Sequence, residues 1–187
     1  SAEDQRHWDR RYATSRRAAE PEAPSAWVEI LDHFPSAGRA LDVACGDGSG
    51  SVWLAIRGFD VVGVDVSAVA IARATDLAAA HDLSDRCRFV AHDLDDGLPP
   101  GEPVDLLVCH RFSSPGLDAE LIKRLAPGGV VVITVLSEVG GEPGRYRARR
   151  GELLDRFAAL EAIDHREGDG TATLVASFAG PTLPSRL

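Results

Sequence analysis

The stretch Ala40-Leu41-Asp42-Val43-Ala44-Cys45-Gly46-Asp47-Gly48-Ser49-Gly50 decides the fold. A short apolar run ends in an acid and opens onto a glycine-rich turn. A second apolar run, Phe59-Asp60-Val61-Val62-Gly63-Val64-Asp65, ends in a second acid. This order predicts a strand, a tight turn, a helix and a second strand. Glycine at 46, 48 and 50 lets the backbone bend sharply and approach a ligand closely. Asp65 follows about 20 residues after the first glycine, where an acid accepts hydrogen bonds from ribose hydroxyls. An adenosine derivative is the expected ligand.

Which adenosine derivative is settled by what surrounds the glycines. A dinucleotide fingerprint G-x-G-x-x-G would need glycine where Ser51 stands, and the Gly-Lys-Ser/Thr of a phosphate-binding loop is absent. Asp42 and Asp47 flank the glycines and would repel a pyrophosphate. The same acids suit a ligand that carries a sulfonium and an ammonium. A NAD-dependent oxidoreductase is the reading these features disfavour.

The chain has 187 residues, one domain's worth, and a formal net charge of −9. That balance argues against nucleic acid or an anionic membrane as partner. No apolar run is long enough to span a bilayer, and the charged stretch Ser1–Tyr12 does not read as a secretory leader. Cys45, Cys87 and Cys109 sit in or beside apolar strands and read as reduced thiols, without zinc-type spacing, in a cytoplasmic protein.

Residues 1–24 form a polar arm with a short helix expected around Asp4 to Arg11. Ser25 is the expected N-cap of a helix to Phe34. Strands are expected at 39–44, 60–64, 87–91, 104–109 and 130–136. Helices lie between them: one after the glycine turn, one from Ser67 to His81, and one over 116–125 that Pro127-Gly128-Gly129 stops. A helix near 150–160 and two strands near 160–166 and 172–179 follow, the strands joined by the hairpin signal Gly168-Asp169-Gly170. The tail from Pro181 is expected to be loose. Alternating strands and helices predict an α/β, Rossmann-like, seven-stranded and mostly parallel sheet, with helices on both faces and one antiparallel edge strand. The catalytic domain is placed at 25–187.

Asp42-x-Ala44-x-Gly46-x-Gly48 resembles motif I of class I S-adenosylmethionine-dependent methyltransferases, with alanine where many members have glycine. The resemblance covers residues 25–179 and implies S-adenosyl-L-methionine as cofactor and S-adenosyl-L-homocysteine as product. It implies that Ala44, Cys45, Gly46 and Gly48 cradle the methionine part and that Asp42 holds its ammonium. Asp65 would hold the ribose, Val66 would pack on the adenine, and Asp93-Leu94 would meet its edge. His7-Trp8-Asp9-Arg10-Arg11-Tyr12 is similar to an N-terminal segment of small tellurite-resistance and thiopurine-type methyltransferases. There Trp8 and Tyr12 would fold over the cofactor as a lid. Arg145-Tyr146 with Gly151-Glu152-Leu153 resembles a second segment of that bacterial group.

Ligands bind beyond the carboxyl ends of the strands in such sheets. Cys109 and His110 end the fourth strand, next to the first, and face the transferable methyl. A hydroxyl acceptor must lose a proton, and His110 is the candidate base, with His92 as second choice. Arg111 and the basic loop with Arg145, Arg147, Arg149 and Arg150 would clamp an anionic acceptor, with Tyr146 beside them. The expected acceptor is a small molecule, anionic or a sugar, since no added domain exists to hold a macromolecule. No metal ligand set is read. The expected assembly is a monomer or homodimer. A catalytically silent S-adenosylmethionine-binding regulator is the alternative that no residue excludes.

Overall fold

A computed structural model describes residues 1–17 and 19–180, so the tail expected to be loose lies outside the described residues. Seven strands form one sheet: β1 (Gly38–Val43), β2 (Phe59–Asp65), β3 (Cys87–Ala91), β4 (Val104–His110), β5 (Leu125–Leu136), β6 (Glu161–Gly168) and β7 (Thr171–Ser177). Their order is β3-β2-β1-β4-β5-β7-β6. β1 pairs in parallel with β2 on one side and β4 on the other. The chain reverses its direction of travel across the sheet between β1 and β4. Such a switch point opens a crevice above the carboxyl ends of both strands. β7 runs antiparallel to β5 and to β6, so the closing hairpin forms the antiparallel end of the sheet with β6 outermost.

Both faces of the sheet are covered. One apolar cluster gathers Leu41, Val43, Leu107, Cys109, Val131 and Ile133. The other gathers Ala40, Phe59, Leu106, Val108, Val132 and Val175, with Val52 and Leu54 of α3 (Ser49–Ile56). Successive residues of β4 thus point to opposite cores, and both ends of the alternation are apolar. A strand buried on both faces reads as an unbroken apolar run. Each large side chain so buried contributes about 1.5–3 kcal/mol relative to exposure.

Several elements differ from their sequence reading. The helix expected from Ser25 to Phe34 is broken into α2 (Ser25–Val28) and a tight turn over Leu31–His33. Pro24, not Ser25, occupies the N-cap position. The reason is tertiary: Trp27 and Ile30 are each 1% exposed. The Trp27 ring lies 2.9 Å from where a Cβ on Gly50 would be. This segment is shaped to fill the space beside the glycine turn. The N-terminal helix α1 (Ala2–Thr14) is longer than expected, and α4 (Ala68–Ala80) starts from the Ser67 cap as read. Pro127-Gly128-Gly129 does not stop a helix; it lies inside β5, where the pairing with β4 shifts register between Val104 and Leu106. Gly128 takes φ +78° and donates its N–H to Phe178 O. In the hairpin both Asp169 (φ 49°) and Gly170 (φ 76°) are left-handed, as a two-residue turn matching the strand twist requires.

The last helices are short: α5 (Asp118–Arg124) and α6 (Glu152–Arg156). They are joined by a buried ion pair. Arg156 donates from Nε and Nη2 to the two Asp118 oxygens at 2.7 Å each, and from Nη1 to Ser113 Oγ at 2.9 Å. Both charged side chains are 11% exposed. Removing one partner leaves the other charge buried alone, which costs about 3–5 kcal/mol. Asp118→Ala should therefore lose about 3 kcal/mol or more in urea unfolding, and a loss below about 1 kcal/mol would show the pair to be idle.

Candidate functional site

The site is built around one carboxylate. Asp65, 7% exposed at the end of β2, accepts from Gly46 N through Oδ2 and from Ser67 N through Oδ1, both at 2.9 Å. It ties the glycine turn after β1 to the start of α4. The turn closes further through Cys45 N to Val64 O and Gly48 N to Cys45 O. Burial raises the Asp65 pKa, against the pull of the Ser67 and Gly46 N–H groups. Gly46 (φ 57°) and Gly48 (φ 80°) are left-handed, and a Cβ on Gly48 would fall 2.5 Å from Ala74 Cβ. Both positions need glycine for conformation, and the second also for close approach to α4.

Asp42 is 4% exposed and accepts from Ser51 Oγ at 2.6 Å. Burial pushes its pKa up to about 7, with the Ser51 hydrogen bond opposing. Ser51 entered the sequence reading only as the residue that spoils a dinucleotide fingerprint. Its role as the buried partner of Asp42 leaves no local pattern, because it depends on α3 turning back over β1. The Cys45 sulfur packs against Gly63, 2.9 Å from where a Cβ there would be. Cys109 is buried, and its thiol pKa is raised by burial.

The N-terminal helix lies across this turn. Asp9 Oδ1 accepts from Ser67 Oγ at 2.6 Å and from Val69 N at 3.2 Å, adding a second cap to α4. Tyr12 brings its hydroxyl to 2.5 Å from where a Cβ on Gly46 would stand, and burial raises its pKa. Trp8 stacks against Tyr12 with ring centroids 6.2 Å apart and stays 37% exposed. Asp9, which holds the helix in place, lies inside the segment quoted for its resemblance, but its role as a cap for a helix some 60 residues on depends on a distant partner that the segment does not show.

Further along the strand ends, Val66 is half-buried beside Asp65, and Leu94 is buried after Asp93. Asp93 accepts from Asp95 N at 3.0 Å. His92 bonds Gly97 O through Nε2 at 3.1 Å. His110 closes β4 with Nδ1 buried and, among the described residues, without a partner. Burial, and then the neighbouring Arg111 charge, lower its pKa to about 4. Arg111 is exposed in a left-handed conformation (φ 60°), its N–H donating to Thr134 O at 2.7 Å.

The basic loop is not a clamp of four free arginines. Arg147 spends Nη1 on Ser137 O (2.9 Å) and Gly170 O (3.3 Å). Arg149 pairs with Glu152 at 3.5 Å. Gly140 and Gly141 pack closely on Asp169 and Gly170. Arg145 lies over the Tyr146 ring at 5.4 Å, with Tyr146 71% exposed. Among the described residues, no hydrogen bond or ion pair joins Arg145 or Tyr146 to His110 or Arg111. Also among the described residues, no three His, Cys, Asp or Glu side chains gather as metal ligands, and no helix is long and apolar enough to cross a membrane.

Two variants test this geometry. Ala44 is left-handed at φ 57°, which costs an L-residue about 1–2 kcal/mol and glycine almost nothing. After glycine's unfolded-state entropy of about 0.4–1 kcal/mol, Ala44→Gly should stabilise the protein, raising the denaturant midpoint; a lowered midpoint overturns the strain. The second concerns pH. The folded Asp42 pKa lies above its unfolded value, so the group's contribution is complete below about 4 and lost as pH rises through about 7. Asp42→Asn keeps an acceptor for Ser51 and should remove that fall in stability between about pH 4 and 7, measured by unfolding at stepped pH.

Residues 40–129 match the family model described as a methyltransferase domain. The chain is 27% identical over 166 residues to 2-heptyl-1-hydroxyquinolin-4(1H)-one methyltransferase of Mycobacteroides abscessus, covering 76% of this chain and 70% of that one. It superposes on TehB of Haemophilus influenzae with TM-score 0.72 and 18% identity, covering 93% of this chain and 66% of that one. On the N-methyltransferase NodS of Bradyrhizobium japonicum, solved with S-adenosyl-L-homocysteine, the TM-score is 0.74 at 18% identity, covering 94% and 98%. The chain spans only 36% and 29% of the first two curated relatives it matches. Residues 40–129 resemble a methyltransferase domain, and the chain shares its fold with the solved methyltransferase structure it superposes on.

Proposed function

We propose that this chain methylates a small acceptor carrying an acidic hydroxyl, using S-adenosylmethionine held between the glycine turn and α1. The observation that carries the acceptor assignment is His110: an imidazole at the carboxyl end of β4, beside β1, with Nδ1 buried and unpartnered among the described residues. Such an orphaned atom costs free energy until a ligand group satisfies it.

The residues fit the cofactor. Gly46 and Gly48 expose backbone in a tight turn, and Tyr12 stands over Gly46. Asp65 spends one hydrogen bond on each oxygen, and a carboxylate oxygen accepts two, so both oxygens keep capacity for ribose hydroxyls. Asp42 would face the ammonium, whose charge favours the ionised carboxylate that burial opposes. Val66, Asp93 and Leu94 would border the adenine, and Trp8 with Tyr12 would cover the methionine part. The bound cofactor supplies a methyl carbon on a sulfonium. The protein's contribution is then mainly alignment of the acceptor oxygen with that carbon.

His110 supplies the proton acceptor. A group whose conjugate acid has a pKa near 4 is neutral throughout the physiological range, ready to accept, but it is a weak base. It suits a phenolic, enolic or N-hydroxy proton and not that of a plain alcohol. The relative named for 2-heptyl-1-hydroxyquinolin-4(1H)-one takes an acceptor with such an N-hydroxyl. Arg111, exposed next to His110, would attract the anionic form. A net charge of −9 disfavours a nucleic-acid acceptor.

Calorimetric titration with S-adenosylhomocysteine, with NADH as control, should show binding of the first alone; NADH binding alone would sink the cofactor assignment. Acidic-hydroxyl acceptors should turn over and simple alcohols should not. His110→Ala should then lower kcat by about 10²–10⁴ while leaving S-adenosylhomocysteine affinity within about twofold. His110 must be neutral to accept, and burial depresses its pKa, so the acid limb of the rate profile should fall near pH 4. A limb at the ordinary histidine value, or full activity in the alanine variant, removes His110 from this role.

A further inference from the structure

A cavity of about 210 Å³ lies on the α4 side of the glycine turn, beside Arg17 and Ala19. Arg17, Asp47, Arg73, Asp76 and Leu77 line it. Its charges are arranged unusually. Arg73 is 8% exposed, and its guanidinium bonds only the neutral oxygens of Ser15, Nη1 to Oγ at 3.0 Å and Nη2 to O at 3.2 Å. Its Nε is buried without a partner among the described residues. No carboxylate of the described residues forms an ion pair with it. A buried cation is ordinarily paired, because leaving one unpaired is expensive.

The acids nearby do not fill the gap. Asp76 is engaged by Arg17 at 3.2 Å. Asp47 has no hydrogen bond or ion pair from its side chain among the described residues, although it lines the same cavity as Arg73. So one unpaired cation and one unpaired anion share a space without meeting. A bare anion placed there would satisfy Arg73 and face Asp47. A bare cation would satisfy Asp47 and face two arginines. A ligand with both charges satisfies both walls. The volume corresponds to roughly seven waters of liquid, and Leu77 with Ala80 offers an apolar lining.

We infer that this cavity binds a free α-amino acid, its carboxylate on Arg73 and its ammonium on Asp47, at a site separate from the cofactor's. A guanidinium takes a carboxylate through two parallel N–H donors, and five donors less the two used on Ser15 leave that capacity. A small aliphatic side chain fits the Leu77 and Ala80 lining. The same two charges occur on the methionyl end of S-adenosylmethionine, so competition between the two ligands is part of the test. The inference goes beyond the methyltransferase reading and does not depend on it.

The standard L-amino acids at about 10 mM would be screened by thermal shift, with and without saturating S-adenosylhomocysteine, and those that stabilise the protein titrated calorimetrically. At least one aliphatic amino acid should raise the melting temperature in both conditions. Its N-acetyl derivative and its decarboxylated amine should each bind at least about tenfold more weakly, since each lacks one charge. Arg73→Gln and Asp47→Asn should weaken the amino acid by about tenfold or more, and a cooperative melting transition in each variant shows that it folds. The inference is overturned if no amino acid stabilises the protein, if the N-acetyl derivative binds as well, or if Arg73→Gln binds normally. It is also overturned if S-adenosylhomocysteine abolishes the binding, which would make the cavity part of the cofactor's own pocket.

Discussion

One buried carboxylate holds the working edge of this protein together. Asp65 accepts from Gly46 on one side and Ser67 on the other, so a single side chain sets the glycine turn after β1 and the first turn of α4. Burying a carboxylate is costly, and here two backbone N–H groups offset the cost. Those N–H groups would themselves be orphans, one in a left-handed turn and one at a helix start. Each group solves the other's problem. Asp9 extends the arrangement outward by capping the same helix start from α1. The N-terminal helix, with no buried residue of its own, is thereby held across the turn, and Tyr12 can stand over Gly46.

The parts of this design that were legible in the sequence are the ones that follow local rules. Strand runs, the Ser67 cap, the left-handed hairpin turn and the glycine turn each depend on residues within a few positions of one another. The seven-stranded order follows from their succession. What was illegible depends on partners far along the chain. The helix after Ser25 breaks because Trp27 must fill space beside Gly50. Pro127-Gly128-Gly129 reads as a stop signal, yet the same residues serve an irregular strand pairing. Four arginines within six positions suggested a clamp, but Arg147 is spent on the Ser137 carbonyl after β5 and the Gly170 carbonyl of the closing hairpin. Composition gives the number of charges, and only the fold shows which of them are free.

The same distinction applies to charge at the site. Read as a sequence, the glycine turn is crowded by acids, and that crowding favoured a cationic ligand over a pyrophosphate. In the fold Asp42 is sealed under Ser51 with its pKa pushed to about 7, while His110 is pushed the other way, to about 4. Burial moves both groups toward their neutral forms. The site near neutral pH is therefore less charged than its residue list implies.

This weakens one argument and sharpens another. Asp42 repels a pyrophosphate less than a surface acid would, so the case against a dinucleotide rests more on Ser51 and on the tight approach of α4 to Gly48. A half-neutral buried acid is, in return, a latent charge. A neutral ligand leaves that balance unchanged. An ammonium brought nearby favours ionisation, and the attraction acts in a medium where water screens it poorly. A residue with an ordinary pKa would present the same charge to every ligand, whereas Asp42 gains charge beside a cation. The discrimination comes from depth of burial, and depth of burial is the property that a row of letters from Ala40 to Gly50 does not carry.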